Sequence, residues 1–404
     1  MTLTMRLRAQ AHIETPRLET PFHPRLAALD RVNDWYNWAG YKAPHALDDT
    51  ELEYFAIRST ASLFDLSPMV KYRIEGKDAE RYLNRLTLRD VSRQKTGTVQ
   101  YTAWCDDAGH VLDDGTLFRL APDVFRLCCQ DRHLPWLLDS AIGFDVDIRE
   151  ETEEIAGLAL QGPTAFATLK AAGLGNVASL RPFQITTLPA PFGDVTISRT
   201  GFTADLGYEL FVPSEHALAL WDLIHAAGQA YGLRAIGYDA LNRARIEAGF
   251  IVAGADFIGA DIALRPGRER MPDEIGLDWL VDPAKPHFNG RRAILHARRT
   301  GALKHVLVGL EIEGNVPAEG AIVYHGRSRE AGVVTAAIWS PTAKRNIALA
   351  SLTRPFGTEI TNDLWVEIYA LRELSYQKMM KRAVIVPRPF VSLPRRTANP
   401  PGLF

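Results

Sequence analysis

Through much of the chain apolar and polar residues alternate with a period of two, and runs with helical spacings of three and four separate these stretches. The clearest strand pair flanks residues 199–206. Val195-Thr196-Ile197 and Tyr208-Glu209-Leu210-Phe211-Val212 are rich in β-branched and aromatic residues, while Gly201, Asp205 and Gly207 supply the turn between them. Glu209 therefore stands inside a strand among large apolar neighbours. Either it faces solvent on a half-buried hairpin, or it needs donors or a ligand, because burying a lone carboxylate is costly.

Before that hairpin, Pro16, Pro21 and Pro24 break any helix near the start. The aromatic run Trp35-Tyr36-Asn37-Trp38-Ala39-Gly40-Tyr41, followed by His45, suits a pocket wall, with core packing as the ordinary alternative for any single ring. Residues 50–62 read as a helix capped by Asp48-Asp49, with Leu52, Phe55, Ala56 and Ser59 at helical spacing. A short strand then stops at Pro68. Strands at 70–74, 99–104, 116–120 and 124–129, with helices from Asp78 and at 134–141, make an α+β module.

Asp113 and Asp114 follow the apolar pair Val111-Leu112. Neighbouring strand residues point to opposite faces, so at most one of these carboxylates enters a site, and a solvated strand edge competes with that reading. Residues 158–161 read as a buried strand, 164–172 as a helix, and a long helix capped by Ser214 follows the opening hairpin. In the helix from Gly237 to Gly249, Arg245 and Glu247 are two apart and cannot face each other, so each requires its own partner. From about residue 305 the pattern is all-β, with strands at 306–312, 321–324, 332–337, 346–352 and 364–369. The proline-rich stretch beyond Phe390 reads as a loose tail.

Composition narrows the class. A chain of 404 residues exceeds one ordinary core and points to two or three domains. A net charge of −2 gives no general attraction to nucleic acid or anionic membranes. The three cysteines, Cys105, Cys128 and Cys129, form neither a disulfide framework nor a metal-ligand spacing, which points to a reducing compartment. A cytoplasmic location fits, with an organellar transit peptide as the alternative. Phosphate-binding glycine loops, nucleophile elbows and His-Glu-x-x-His motifs are absent.

Taken in order, a set of segments resembles the folate-dependent aminomethyltransferase family, the glycine-cleavage T-proteins and their relatives. They are Trp38-Ala39-Gly40-Tyr41, Phe64-Asp65-Leu66-Ser67-Pro68-Met69, His110-Val111-Leu112-Asp113-Asp114, Ala159-Leu160-Gln161-Gly162-Pro163, Ser198-Arg199-Thr200-Gly201-Phe202-Thr203, Gly207-Tyr208-Glu209, Arg245-Ile246-Glu247-Ala248-Gly249, Gly276-Leu277-Asp278-Trp279 and Trp339-Ser340-Pro341-Thr342. The resemblance implies an α+β fold: a three-domain ring around a tetrahydrofolate channel, ending in a small β-barrel-like domain. It divides the chain into residues 1–69 with 158–260 as a discontinuous folate-binding domain, 70–157 as a second domain, 261–304 as a connection, 305–390 as the C-terminal β domain and 391–404 as the tail.

The same resemblance assigns roles. Asp114 matches the catalytic aspartate beside the reactive folate nitrogens, and Glu209 the glutamate that grips the pterin, whose adjacent N–H donors one carboxylate accepts together. Trp279, Phe202 and Arg245 fall at cofactor-contacting positions, with Phe202 where T-proteins usually have tyrosine. T-proteins usually read Thr-Gly-Tyr-Thr-Gly-Glu-Asp-Gly at the turn; this chain departs there and at Gly237-Tyr238-Asp239-Ala240-Leu241, which is similar to folate-dependent demethylases. The implied activity is transfer of a methyl group from O, N or S of a small substrate to folate N5, with Tyr36, Trp38, Tyr41 and His45 as substrate-wall candidates. The alternatives are an aminomethyltransferase served by a lipoylated carrier protein and a non-catalytic folate-binding scaffold. No nucleic acid, membrane or metal partner is implied, and the oligomeric state stays open.

Overall fold

The computed structural model describes residues 18–400, which form a small three-stranded sheet of Leu18–Glu19, Tyr41–Ala46 and Asp34–Trp38 and three units, each built on a large sheet. In the first, six strands lie in the order Ile185–Ala190, Gly193–Ser198, Gly207–Pro213, Ile155–Gln161, Ala61–Asp65 and Leu233–Ala235. All neighbours are antiparallel except the last pair. Leu158, Leu160, Ile197 and Leu210 point to one face, where Leu220, Trp221 and Ile224 of the helix Ala217–Gly228 cover them. Phe64, Ala159, Glu209 and Phe211 are left for the other face, as strand alternation requires. This unit is discontinuous.

The inserted second unit is an antiparallel sheet ordered Thr98–Cys105, Val111–Ala121, Val124–Cys129, Val70–Glu75 and Asp147–Glu150. The helix Ala79–Leu86 buries Tyr82, Leu83 and Leu86 against Tyr72, Leu117 and Leu127 on one face. Beyond the helix Arg291–Thr300, six strands close into a barrel, with Ser375–Val386 pairing both Leu364–Arg372 and His305–Ile312. This sixth strand is not apparent from periodicity, because its first half, Ser375-Tyr376-Gln377-Lys378, is exposed and polar-rich on both faces.

Three further expectations change. In the helix Thr50–Ser59, Leu52 and Phe55 are 51% and 43% exposed, and the buried face carries Glu53, Tyr54, Ile57 and Arg58 instead. Glu53 is inside because it accepts the backbone N–H groups of Leu47, Asp48 and Gly237 at 2.7 to 2.8 Å. Asp49 does cap this helix, accepting from Glu51 and Leu52. Ser214 is not a helix cap: its hydroxyl donates to the Glu153 carbonyl and it opens a 3-10 turn.

The described part of the tail is not loose. Arg395 holds the buried Asp205 of the first unit through Nε and Nη2, at 2.5 and 2.8 Å, and Arg199 donates to the Ala398 carbonyl. Among the described residues, no helix is long and apolar enough to cross a membrane, and no group of His, Cys, Asp and Glu side chains could hold a metal ion.

Candidate active site

The outer faces of the first two sheets meet, and alternation decides which side chains line the meeting. Glu209 and Phe211 leave one wall, and Asp114, Thr116 and Phe118 leave the other. Phe118 and Phe211 join edge to face, with ring centroids 5.5 Å apart at 83°. Along the strands, Glu209 lies about 7 Å and Asp114 about 14 Å from that contact. The Glu209 charge is felt by Cys128, the cross-strand partner of Thr116, two residues from Asp114 on the same face. The two carboxylates therefore stand on facing walls of one cleft.

Asp113 and Asp114 divide as a strand demands. Asp113 is buried behind the sheet, against Nε2 of His133 at 3.1 Å, and its Oδ1 accepts the Asp114 amide. Asp114 faces the cleft and accepts the Tyr101 hydroxyl at 2.6 Å. Burial and the nearby Asp113 charge push the Asp114 carboxyl up to about 7, against the pull of the Tyr101 hydrogen bond. Such a group is close to half-protonated at neutral pH, the condition that suits acid–base work.

Glu209 accepts the Thr200 hydroxyl at 2.6 Å through one oxygen, while its other oxygen has no protein partner among the described residues. Burial raises its pKa to about 6, and the Thr200 hydrogen bond opposes the shift. Beside it, Tyr36, Trp38, Phe64 and Phe202 gather around Ala159, the cross-strand neighbour of Glu209. Tyr36 packs on Tyr238 at 5.1 Å and meets the edge of His45, whose Nδ1 lies 2.9 Å from Asp34. Tyr41 is 3% exposed and lies outside this cluster.

Sequence models of one family match both parts of the chain: the GCVT N-terminal domain over residues 23–285 and the glycine cleavage T-protein C-terminal barrel domain over residues 305–391. The chain belongs to the glycine-cleavage T-protein family. It is 33% identical over 338 residues to an aminomethyltransferase of Caldanaerobacter subterraneus subsp. tengcongensis, covering 82% of this chain and 87% of that one. It is 35% identical over 370 residues to a trimethylamine-oxide aldolase of Ruegeria pomeroyi, covering 85% of this chain and 44% of that one. The crystal structure of glycine cleavage system aminomethyltransferase T from Bartonella henselae superposes with a TM-score of 0.80 at 25% identity, covering 93% of this chain and 98% of that one.

In this T-protein family member, Trp279 is 59% exposed and stacks on Tyr101 at 6.0 Å, so it reaches the Asp114 wall. Phe202 packs against Phe250, with ring centroids 5.4 Å apart at a 30° tilt. Arg245 does not face open space: it is 2% exposed, ion-paired with Asp256, and bonded to Asn242 and the Phe250 carbonyl. Glu247 has separate partners, as its spacing from Arg245 requires, namely Arg58, the Tyr54 hydroxyl and the Ser340 hydroxyl.

Sequence reasoning missed Tyr101, Thr200 and Arg89 as site residues. Tyr101 was within reach, since it stands two positions from Ala103, the register partner of Asp114. Thr200 follows from its place in the turn opposite Glu209. Arg89, over the Trp279 ring at 5.7 Å, carries no local pattern. Two surface hollows, one bordered by Tyr82, Asp106 and Trp136 and the other by Arg81, His287 and Arg292, contain none of these groups.

Proposed function

We propose that this protein is a tetrahydrofolate-dependent demethylase, transferring a methyl group from O, N or S of a small substrate to the folate. The carrying observation is Glu209, a half-buried carboxylate with one oxygen free of protein donors, beside an aromatic cluster and facing Asp114. Paired N–H donors of an aminopyrimidinone edge fit that free acceptor. Tetrahydrofolate, when bound, supplies the N5 nitrogen that accepts the one-carbon unit. Glu209 orients the ring, while Phe202 and Trp279 offer apolar faces to it.

Asp114 holds the proton balance. The accepting nitrogen would shed one proton; an ether, thioether or neutral amine donor would take one up on leaving, whereas a sulfonium would leave as a neutral sulfide and the proton would pass to solvent. With a pKa of about 7 Asp114 is partly ionised at neutral pH, and its carboxylate form would accept the released proton, while the hydrogen bond from Tyr101 fixes which oxygen is engaged. The aromatic cluster that includes Tyr36, Trp38 and Phe202 offers apolar surface to a methylated group, whose transfer from water is favourable. Leu206, buried in the core, stands where the T-protein pattern has an acidic residue, and the name of the aldolase relative also speaks of a methylated amine oxide.

The relatives named aminomethyltransferase support a second reading, in which a lipoylated carrier delivers an aminomethyl group. Incubation with tetrahydrofolate and a panel of methoxy-aromatic, methylamine and sulfonium compounds, followed by mass spectrometry, separates the two. 5-Methyl-tetrahydrofolate is expected from at least one donor without any carrier. Methylene-tetrahydrofolate and ammonia formed only with a lipoylated carrier would overturn the demethylase reading. Calorimetry tests the clamp: Glu209→Gln should weaken tetrahydrofolate binding by roughly a hundredfold, about 2.7 kcal/mol. Unchanged affinity would remove Glu209 from the site.

A further inference from the structure

His133 lies behind the Asp114 strand, outside every motif of the chain, and both of its ring nitrogens face carboxylates. Nε2 is 3.1 Å from Oδ2 of Asp113, and Nδ1 is 3.4 Å from Oδ2 of Asp261. A neutral imidazole has one N–H and one bare nitrogen, whose lone pair would confront the second carboxylate. Only the imidazolium donates to both. The ring is also held in place. Its side chain is 4% exposed, Trp104 stands edge-on to it at 5.7 Å and 89°, and the His133 amide donates to the Tyr72 hydroxyl.

Element by element, the surroundings of this cation are negative or neutral. The strand Val111–Ala121 brings Asp113, which accepts the Asp131 amide through the oxygen facing His133 and the Asp114 amide through the other. The turn leading into the helix Leu134–Ser140 brings Asp131, and the connecting segment brings Asp261. Tyr72 and Cys129, on the neighbouring strands, stay neutral because burial pushes both of their pKa values up. Arg132, the adjacent cation, turns to Glu150. On the cleft side, Asp114 has the Tyr101 hydroxyl, and the more distant Asp256 charge is ion-paired with Arg245. Asp113 is buried and Asp114 half-buried beside it, and two neighbouring carboxylates resist carrying two negative charges unless a cation answers one of them.

We propose that His133 is a positioning residue of the cleft: a cation at neutral pH, clamped by Asp113 and Asp261, that answers the Asp113 charge behind the sheet and so leaves Asp114 able to ionise in front. It acts on the reaction through Asp113, from the opposite face of the strand. This inference rests on the reading of Asp114 as the proton acceptor. Its test needs no ligand, so its failure would leave the folate reading standing, and failure of the folate titration would leave the His133 result untouched.

Two titrations by nuclear magnetic resonance on the whole, ligand-free protein provide the test. In the first, nitrogen-labelled histidine reads the His133 ring. Both nitrogens are expected to carry protons from about pH 6 to about pH 8, and a neutral ring in that range overturns the inference without recourse to any variant. In the second, carbon-labelled aspartate carboxyls follow Asp113 and Asp114, assigned by the signals lost in Asp113→Asn and Asp114→Asn. The wild-type pair should lose its second proton near the value of about 7 reached by Asp114. His133→Gln should raise that midpoint by about one pH unit or more, because the pair then ionises twice with no cation behind it. His133→Lys, which keeps a cation facing Asp113, should reverse part of the rise. An unchanged midpoint in His133→Gln overturns the inference, since the charge is then not felt at the cleft. An equal rise in the Gln and Lys variants also overturns it, since packing alone would account for the effect.

Discussion

At the scale of single residues the cleft is a study in carboxylates held at unusual cost. Asp114 has a pKa raised to about 7, so its contribution to stability is fully present below the ordinary aspartate range and is lost as pH rises through about 7. Asp114→Asn should therefore raise the thermal midpoint more at pH 8 than at pH 5, while lowering turnover by roughly 10²-fold or more. Scanning calorimetry at both pH values checks the first part; equal shifts would mean that the carboxyl titrates normally. His133, behind the same strand, behaves oppositely to a neutral core histidine. Burial lowers its pKa, but bonding to Asp113 and Asp261 wins and carries it up to about 9. The split between Asp113 and Asp114 was legible from strand alternation alone. That Asp113 would be answered by His133, twenty residues away and outside any motif, was not, because the pairing depends on how the second sheet folds over.

At the scale of elements, the helix Thr50–Ser59 shows where hydrophobic periodicity fails. Its buried stripe contains Glu53 and Arg58, each saturated by partners from other segments, and its apolar Leu52 and Phe55 are turned outward. Arg58 and Tyr54 meet Glu247 of the helix Tyr238–Glu247, which also accepts from Ser340 of the barrel. Glu247→Ala should destabilise by about 3 kcal/mol, since the buried Arg58 is left with Asp205 as its one ion-pair partner among the described residues and the Tyr54 and Ser340 hydroxyls lose their acceptor. Glu311→Ala, which breaks the half-exposed pair with Arg345, should cost less than about 1 kcal/mol. Denaturant unfolding of both variants makes the comparison, and similar losses would contradict the hub role of Glu247. Most strands and helices were readable from their patterns. The sixth barrel strand was hidden by its polar outer half, and the charged helix face by the absence of any local sign that its charges had distant partners.

At the scale of the molecule, the units are joined by a buried apolar cluster running from Ala103 and Val111 to Leu307 and Ile338 of the barrel, by the Phe118–Phe211 edge, by the Glu247 cluster, and by Arg245 with Asp256 and Thr335 of the barrel. The family and its α+β fold were within reach of the sequence, through motifs that lie far apart in the chain, and the same motifs name Asp114 and Glu209 as candidates. The contact between Phe118 and Phe211 was not, because each looks like an ordinary strand residue. The segment after the barrel ties these parts together: Glu247's carbonyl accepts the amides of Phe390 and Val391, and Arg395 closes on Asp205. Arg395→Ala should lower stability by about 2 kcal/mol, because Asp205 stays buried with one cation fewer. Unchanged unfolding would make this contact incidental. Asp205 precedes Arg395 by 190 residues, so during synthesis the turn beside Glu209 waits with a half-answered Asp205. That turn therefore completes its ion pairing only once Arg395 has docked on the first unit.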